Sequence, residues 1–361
     1  MKRSNKPVYK TRIFWASILF AQFILFQILQ RIPQAVSLFT AFFQRQKGLH
    51  QQLFGGVPFS VGDVLYILII LAGMALLYKS FSSKKALRSL LILINFVFFF
   101  YQIFWGMMYF RPPLDSRLPS TTVELDNLKD YAYKYLRLAT AARARVAEDN
   151  DGVFRISDPE LKKHIVDNQR NLPAPFNDNL TNKVVSVKES LYSGILSQTG
   201  ILGYYNPFTA EAQFNKHLPH SFVPATIAHE AAHQLGYARE QEASFIGFLN
   251  ALQSDNPDLQ YSNYLFVLKN LLANIKRHDK DFVKNFMDSF PPALHRDINA
   301  EQRFVDENRS WLAAVLSVTN NLFLKINGQE GSVTYNHFVR LLDAYEKQKR
   351  LHPKMQSKKH K

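Results

Sequence analysis

Residues 224–244 read PATIAHEAAHQLGYAREQEAS, and the spacing inside this stretch decides how the rest of the chain is read. Pro224 and Thr226 suit the first turn of a helix, where a missing backbone N–H costs nothing. His229 and His233 are four residues apart. On a helix that spacing puts both imidazoles on one face, about 5–6 Å apart at Cβ. Two nitrogens so placed can converge on one zinc ion. Glu230 follows the first histidine and leans toward the open side of such a metal. There it can take a proton from a water and later deliver it to a leaving amine. Ala231 and Ala232 are small enough for close helix packing. Gly236 stands where a helix can end on a left-handed residue. The acidic run Glu240-Gln241-Glu242 then opens a second helix and brings a third ligand near. Spacing alone leaves Glu240 and Glu242 both open.

The chain contains no cysteine. That excludes disulfides, thiolate zinc sites and a cysteine nucleophile, so a zinc site here has to use histidine and carboxylate. Plainer readings exist for each residue. His229 and His233 can be surface histidines, Glu230 can pair with Arg239, and the two later acids can be a solvated helix N-terminus favoured by the dipole. Arg239 can orient an acidic ligand or a substrate carboxylate, or form a surface salt bridge. A hydrolytic site also needs a donor for the developing oxyanion. Tyr237, Tyr204, Tyr205, His217 and His220 all lie near in sequence.

With these residues identified, the core resembles the zincin-type metallopeptidases, in particular those with a glutamate as third ligand. Their second helix often reads Glu-x-x-Ala-Asp or Glu-x-x-Ala-Asn, with the first Glu on zinc. Glu240-Gln241-Glu242-Ala243-Ser244 is similar, with Ser244 in the final place. The resemblance implies Glu240 as the ligand with Glu242 in reserve, and Ser244 as a donor behind the ligands, beside Arg239 and Tyr237. The gap between the two helices is shorter than in the familiar peptidases. Where the metzincins place a third histidine this chain has Arg239, which does not bind zinc. More broadly, three membrane spans, then Arg111-Pro112-Pro113-Leu114, then the run over 229–243 resemble one uncharacterised bacterial membrane family, a domain-of-unknown-function group. That resemblance implies a membrane location and a metallopeptidase-like site, and supplies no substrate.

Outward from the motif, the first third of the chain is apolar. Much of the high Phe content of 30 residues falls there. Uncharged or nearly uncharged runs over Ile13–Leu29, Val64–Tyr78 and Leu90–Phe110 predict spans at about 13–30, 59–78 and 88–110, each near the ~20 residues a bilayer requires. Trp105, Tyr109 and Phe110 would close the third span at the membrane–water boundary, and Arg111-Pro112-Pro113 ends it. The formal net charge of +15 falls on flanks and a tail rather than on one face, which argues against nucleic acid. Lys2, Arg3, Lys6, Lys10 and Arg12 precede the first span, and Lys79, Lys84, Lys85 and Arg88 separate the second from the third. Basic loops mark the cytoplasmic side. The reading is therefore a multi-pass protein of the bacterial inner membrane with a cytoplasmic N-terminus and an extracytoplasmic soluble domain. The segment Arg31–Val57 reads as amphipathic, lying either in the interface or as a loop packed on the domain.

The soluble region, 112–346, is expected to be a mainly α, zincin-like domain with room for a small β-sheet, followed by a basic, disordered tail over 347–361. Helices are predicted over Thr121–Ala147, from Lys183 toward Gly194, and over Glu242–Leu252, Tyr261–Ile275, Asn299–Leu324 and Thr334–Lys349. Gly203-Tyr204-Tyr205-Asn206-Pro207 reads as a turn, and Glu211–Asn215 as a short extended segment. Together these predict a membrane-anchored, zinc-dependent metallohydrolase, a peptidase acting on protein or peptide with Glu230 as general base. The competing expectation is a non-catalytic zinc-binding scaffold or envelope assembly protein. A weaker third is binding of lipid or acidic polymer through the basic tail.

Overall fold

The computed structural model describes residues 7–177, 182, 184–314 and 334–351. It opens with four helices, α1 (Arg12–Leu29), α2 (Pro33–Phe54), α3 (Val61–Ser80) and α4 (Lys84–Phe104). Hydroxyls cap three of them: Thr11 accepts from the Phe14 amide, Ser60 from Asp63 and Ser83 from Ala86. By length and composition α1, α3 and α4 are each able to cross a membrane, and the protein is membrane-anchored. Gln22 on α1 donates to Asn95 on α4 at 3.1 Å, a polar contact between two apolar helices.

Two expectations for this region change. The segment after the first span packs on the domain, as one of its two readings had it, but not as a loop. It is the continuous helix α2, and its buried face, Val36, Phe43, Gln46, Lys47 and Gln51, packs inward. Gln44 donates to the Leu235 carbonyl at 3.2 Å, and Gln51 donates to Asn182 at 3.1 Å. The third span is also shorter than its apolar run. At 1.5 Å per residue a helix starting at Lys84 crosses the ~30 Å core by about residue 104. Past it, Trp105 and the 3-10 turn Gly106–Phe110 bury Met107, Met108 and Tyr109 inside the protein.

The soluble part is mainly α with small sheets. Its helices are α5 (Leu125–Arg143), α6 (Leu161–Asn168), α7 (Ser193–Thr199), α8 (Val223–Gln234), α9 (Glu240–Gln253), α10 (Pro257–Ile275), α11 (Lys280–Asp288), α12 (Pro292–Glu307) and α13 (Thr334–Leu351). The strands β1 (Ala147–Glu148) and β2 (Phe154–Arg155) form a small antiparallel pair. The strands β3 (Val187–Glu189), β4 (Gly203–Asn206) and β5 (Glu211–Phe214) form a sheet ordered β3-β5-β4. β3 runs parallel to β5 and β4 antiparallel to it, with Tyr204 opposite Gln213. The predicted helix over 183–194 is thus a strand followed by a short helix, and the predicted turn at 203–207 begins as a strand. Pairing with β5 overrides the helical reading in the first place and the Gly and Pro turn signals in the second. α12 starts earlier than the predicted helix over Asn299–Leu324, whose last residues lie outside the described ones. α13 runs past Lys347 to Leu351; the remaining tail lies outside the described residues.

The main core lies between α5, α9, α10 and α13, around Tyr135, Phe245, Phe248, Tyr261, Leu265 and Leu342. A second cluster, with Ile165, Ala212, Ile227 and Ala231, glues α8 to the sheet and to α6. The membrane helices join this body at the start of α3. Buried Glu211 accepts from the amides of Val61 at 3.2 Å and Gly62 at 2.6 Å, the otherwise orphaned donors of a helix N-terminus. Buried Asp63 accepts from the Leu191 amide at 2.7 Å and from the Tyr204 hydroxyl. Glu211→Ala strands those amides and the Thr209 hydroxyl in a water-excluded site. The expected cost is about 3 kcal/mol, seen as a lowered Tm of the full chain in nanodiscs, with helical content retained below the transition.

Candidate metal centre

α8 carries His229, Glu230 and His233 on consecutive turns, with Pro224 in its first turn. The helix ends at a tight turn: the Gly236 amide bonds the His233 carbonyl at 2.8 Å, and Gly236 takes φ +97°. This is the left-handed residue its position implied. A Cβ there would also fall 2.8 Å from Met108 Cε and 3.1 Å from the Phe43 ring. Four residues later α9 begins at Glu240, so its first turn faces back toward the histidines.

The outcome is a three-donor cluster. Ligand atoms of His229, His233 and Glu240 all lie within 4.8 Å of one another. Glu240 Oε2 is 3.2 Å from His229 Nε2 and 3.8 Å from His233 Nε2. The two rings stand 4.8 Å apart at nearly right angles. Their other nitrogens are held from behind: His233 Nδ1 lies 2.6 Å from the Tyr237 carbonyl and His229 Nδ1 lies 3.0 Å from Ser244 Oγ. A carbonyl only accepts, so His233 Nδ1 donates, and Nε2 is the nitrogen it turns toward the cluster. This is the donor set and support that a divalent zinc ion takes, two imidazoles and a carboxylate with the rings fixed by outer hydrogen bonds.

Glu230 lies beside the cluster. It is 5% exposed, and its Oε2 has no hydrogen-bond partner among the described residues. β4 passes close by: a Cβ on Gly203 would sit 2.9 Å from Glu230 Oε1, so only glycine leaves room for this carboxylate. Desolvation pushes the Glu230 carboxyl up to about 7, against the pull of the two histidines. Burial also opposes a charged His233, but Glu240, Glu230 and the Tyr237 carbonyl outweigh it and raise that imidazole to about 9. Burial likewise opposes the Glu240 carboxylate. His233 and His229 outweigh it in turn and hold that carboxyl well below its usual range.

The remaining candidates separate. Glu242 stays off the cluster: its Oε1 accepts from the Leu114 amide at 2.9 Å and from Arg239 at 2.9 Å, while Arg239 also donates to the Arg111 carbonyl at 2.8 Å. Both residues therefore tie the segment leaving the membrane to the turn before α9. Tyr237 contributes its carbonyl, but its hydroxyl donates to Phe176 O at 2.8 Å. Tyr204 is turned to Asp63. The His220 ring accepts from the Ile156 amide at 2.8 Å, and His217 is exposed beyond β5. Sequence reasoning missed the wall of the site. The Trp105 ring stands edge-on to His233 at 5.7 Å and packs on Tyr205 at 4.5 Å. Tyr109 is buried next to it, with its phenol raised by burial and by the negative charge of Glu240 and Glu230. The apolar run by itself carried no such signal; the residues past 104 are spare only because α4 begins as early as Lys84.

The family model for DUF3810, a protein of unknown function, matches residues 39–342. The chain belongs to this family. The match takes in most of α2, the helices α3 and α4, the sheet, the cluster on α8 and α9, and the start of α13; it carries no activity with it. No curated protein matches, and no solved structure matches.

Metal analysis of the purified full chain tests the ligand set. Zinc is expected to bind at one site per chain, to be lost in His229→Ala and Glu240→Ala, and to be retained in Glu242→Ala. The last variant should instead lose about 2–3 kcal/mol of stability, because Arg239 and the Leu114 amide lose their partner.

Proposed function

We propose that this chain is a membrane-anchored, zinc-dependent hydrolase that cleaves amide bonds in peptides or proteins. His229, His233 and Glu240 would hold the metal, and Glu230 would be the general base. The observation that carries the reading is a carboxylate in apolar surroundings, with one oxygen unpartnered, set beside three gathered metal-ligating groups. When bound, zinc supplies Lewis acidity, which acidifies water and polarises a carbonyl. Glu230 accepts the proton of the attacking water and returns it to the departing amine. Ser244 and the Tyr237 carbonyl keep both imidazoles aimed during that exchange. Trp105 walls the site against solvent and, being rigid, limits how far His233 can turn. Against a purely structural zinc site, the burial of Glu230 without a partner is costly to stability and has no other evident purpose.

The location proposed is the bacterial inner membrane, with the soluble part outside the cytoplasm. Arg88 bonds the Lys10 carbonyl at 3.3 Å, so the basic residues before α1 and those around the α3–α4 junction share one end of the spans. α2 and the starts of α3 and the Trp105 segment attach to the soluble part at the other end. The basic end is the one that stays in the cytoplasm.

Glu230→Gln separates catalysis from metal binding. In nanodiscs it should keep the zinc content of the parent and lose roughly 10²–10⁴-fold in hydrolysis of a quenched-peptide library. A parent protein loaded with zinc but without hydrolytic activity, or an active Glu230→Gln, would remove the catalytic reading and leave the scaffold. Chelation should abolish parental turnover and added zinc restore it.

A further inference from the structure

In the part of the chain that follows the third span, eight large apolar side chains face outward among the described residues, and four of them fall within twelve positions: Leu191, Ile195, Ile201 and Leu202. Leu191 is 53% and Ile195 58% exposed. The short helix among them, α7, buries Ser193, Ser197 and Thr199 together with Leu196, and turns Ile195 outward beside the exposed Gln198. The buried hydroxyls are all bonded: Ser193 donates to the Ser190 carbonyl at 2.7 Å, Ser197 to the Ser193 carbonyl at 3.0 Å and Thr199 to the Leu196 carbonyl at 3.0 Å. The buried hydroxyls are thus satisfied within the fold, while Leu191, Ile195, Ile201 and Leu202 are presented to the outside. In a water-soluble setting that arrangement is unfavourable at about 25 cal/mol per Å² of apolar surface left in water.

The position of the patch identifies what covers it. The Leu191 amide bonds Asp63 at 2.7 Å, and the Tyr192 hydroxyl bonds the Asp63 carbonyl at 2.7 Å. Asp63 is in the first turn of α3, and the outward-facing apolar residues of that span, Ile67 and Leu68, begin about one turn further on. The patch therefore lies beside the start of α3, next to the turn from which its outward apolar residues begin. On its other side Ser310 bonds the Gln198 carbonyl at 2.9 Å, which brings the adjacent Trp311, 72% exposed, beside α7. Tryptophan is the residue favoured at the headgroup level. The Lys216 amide bonds Ser193 at 3.1 Å, and its exposed side chain can reach lipid phosphates while its stem covers apolar surface.

We infer that Leu191, Ile195, Ile201, Leu202 and Trp311 form a lipid-binding surface that inserts into the headgroup–acyl boundary of the bilayer crossed by α3. The soluble domain thus lies on the membrane rather than standing clear of it. Leu202 leads directly into β4, whose Gly203 abuts Glu230, so the inserted edge borders the candidate metal centre. The surface does not depend on any chemistry there.

The absence of native cysteine makes the test direct. Ile195→Cys and Leu202→Cys, each labelled with an environment-sensitive fluorophore, are measured in the full chain in phospholipid nanodiscs. Tyr133→Cys, exposed on α5, is the reference. The expected result is a blue-shifted emission at 195 and 202, quenched by lipid carrying a nitroxide near its headgroup and protected from a water-soluble nitroxide. The reference label should show the opposite pattern. Labels at 195 and 202 that behave like the one at 133 would overturn the inference. So would a blue shift without quenching by the lipid nitroxide, which would mean that protein covers the patch.

Discussion

The carboxylate of Glu240 has to reach back across the turn at Gly236 to meet two imidazoles on the preceding helix, and the surrounding structure serves that reach. Two histidines one turn apart present themselves on any helix; a third donor at the right height does not. It is delivered because α8 stops within one residue, reverses through a left-handed glycine, and restarts as α9 with Glu240 in its first turn. The acid beside it in sequence, Glu242, points elsewhere and is held by Arg239 and the Leu114 amide. Two positions along one helix thus divide similar residues between the three-donor cluster and structural anchoring.

That turn is clamped from the membrane side. Phe43 of α2 and Met108, just beyond α4, touch the space above Gly236, and Arg111 donates to the Gly236 carbonyl at 2.9 Å. Trp105 lies against His233. The spans are consequently more than an anchor. Their ends form one wall of the cluster, and Glu211 and Asp63 tie the start of α3 to the sheet that passes Glu230. Buried charges such as these are tolerated only when hydrogen-bonded, and both carboxylates are saturated by amides and hydroxyls. The contrast with the bare oxygen of Glu230 is what singles that residue out.

The exposed apolar edge around α7 fits the same logic. A domain joined to its membrane helices by short, fully bonded contacts has little freedom to stand away from the bilayer. Its nearest edge then meets lipid and carries the side chains that lipid favours.

Much of this was legible in the sequence. The 3.6-residue period placed His229, Glu230 and His233 together on one helical turn, the glycine marked the break, and uninterrupted apolar runs marked the spans. These are local properties, set by backbone geometry and by the length of a bilayer, and no distant contact can alter them. Only the tertiary structure brought Glu240 rather than Glu242 to the histidines, turned Gly203–Asn206 from a turn into a strand, made a helix of residues 33–54 and set Trp105 and Tyr109 beside the three-donor cluster. Each of those outcomes depends on a partner that the local pattern does not name: β5, across a short connection, for the strand, and the distant α8–α9 turn for the helix and the aromatics. A linear pattern contains no distance between residues that pair only after the chain has folded.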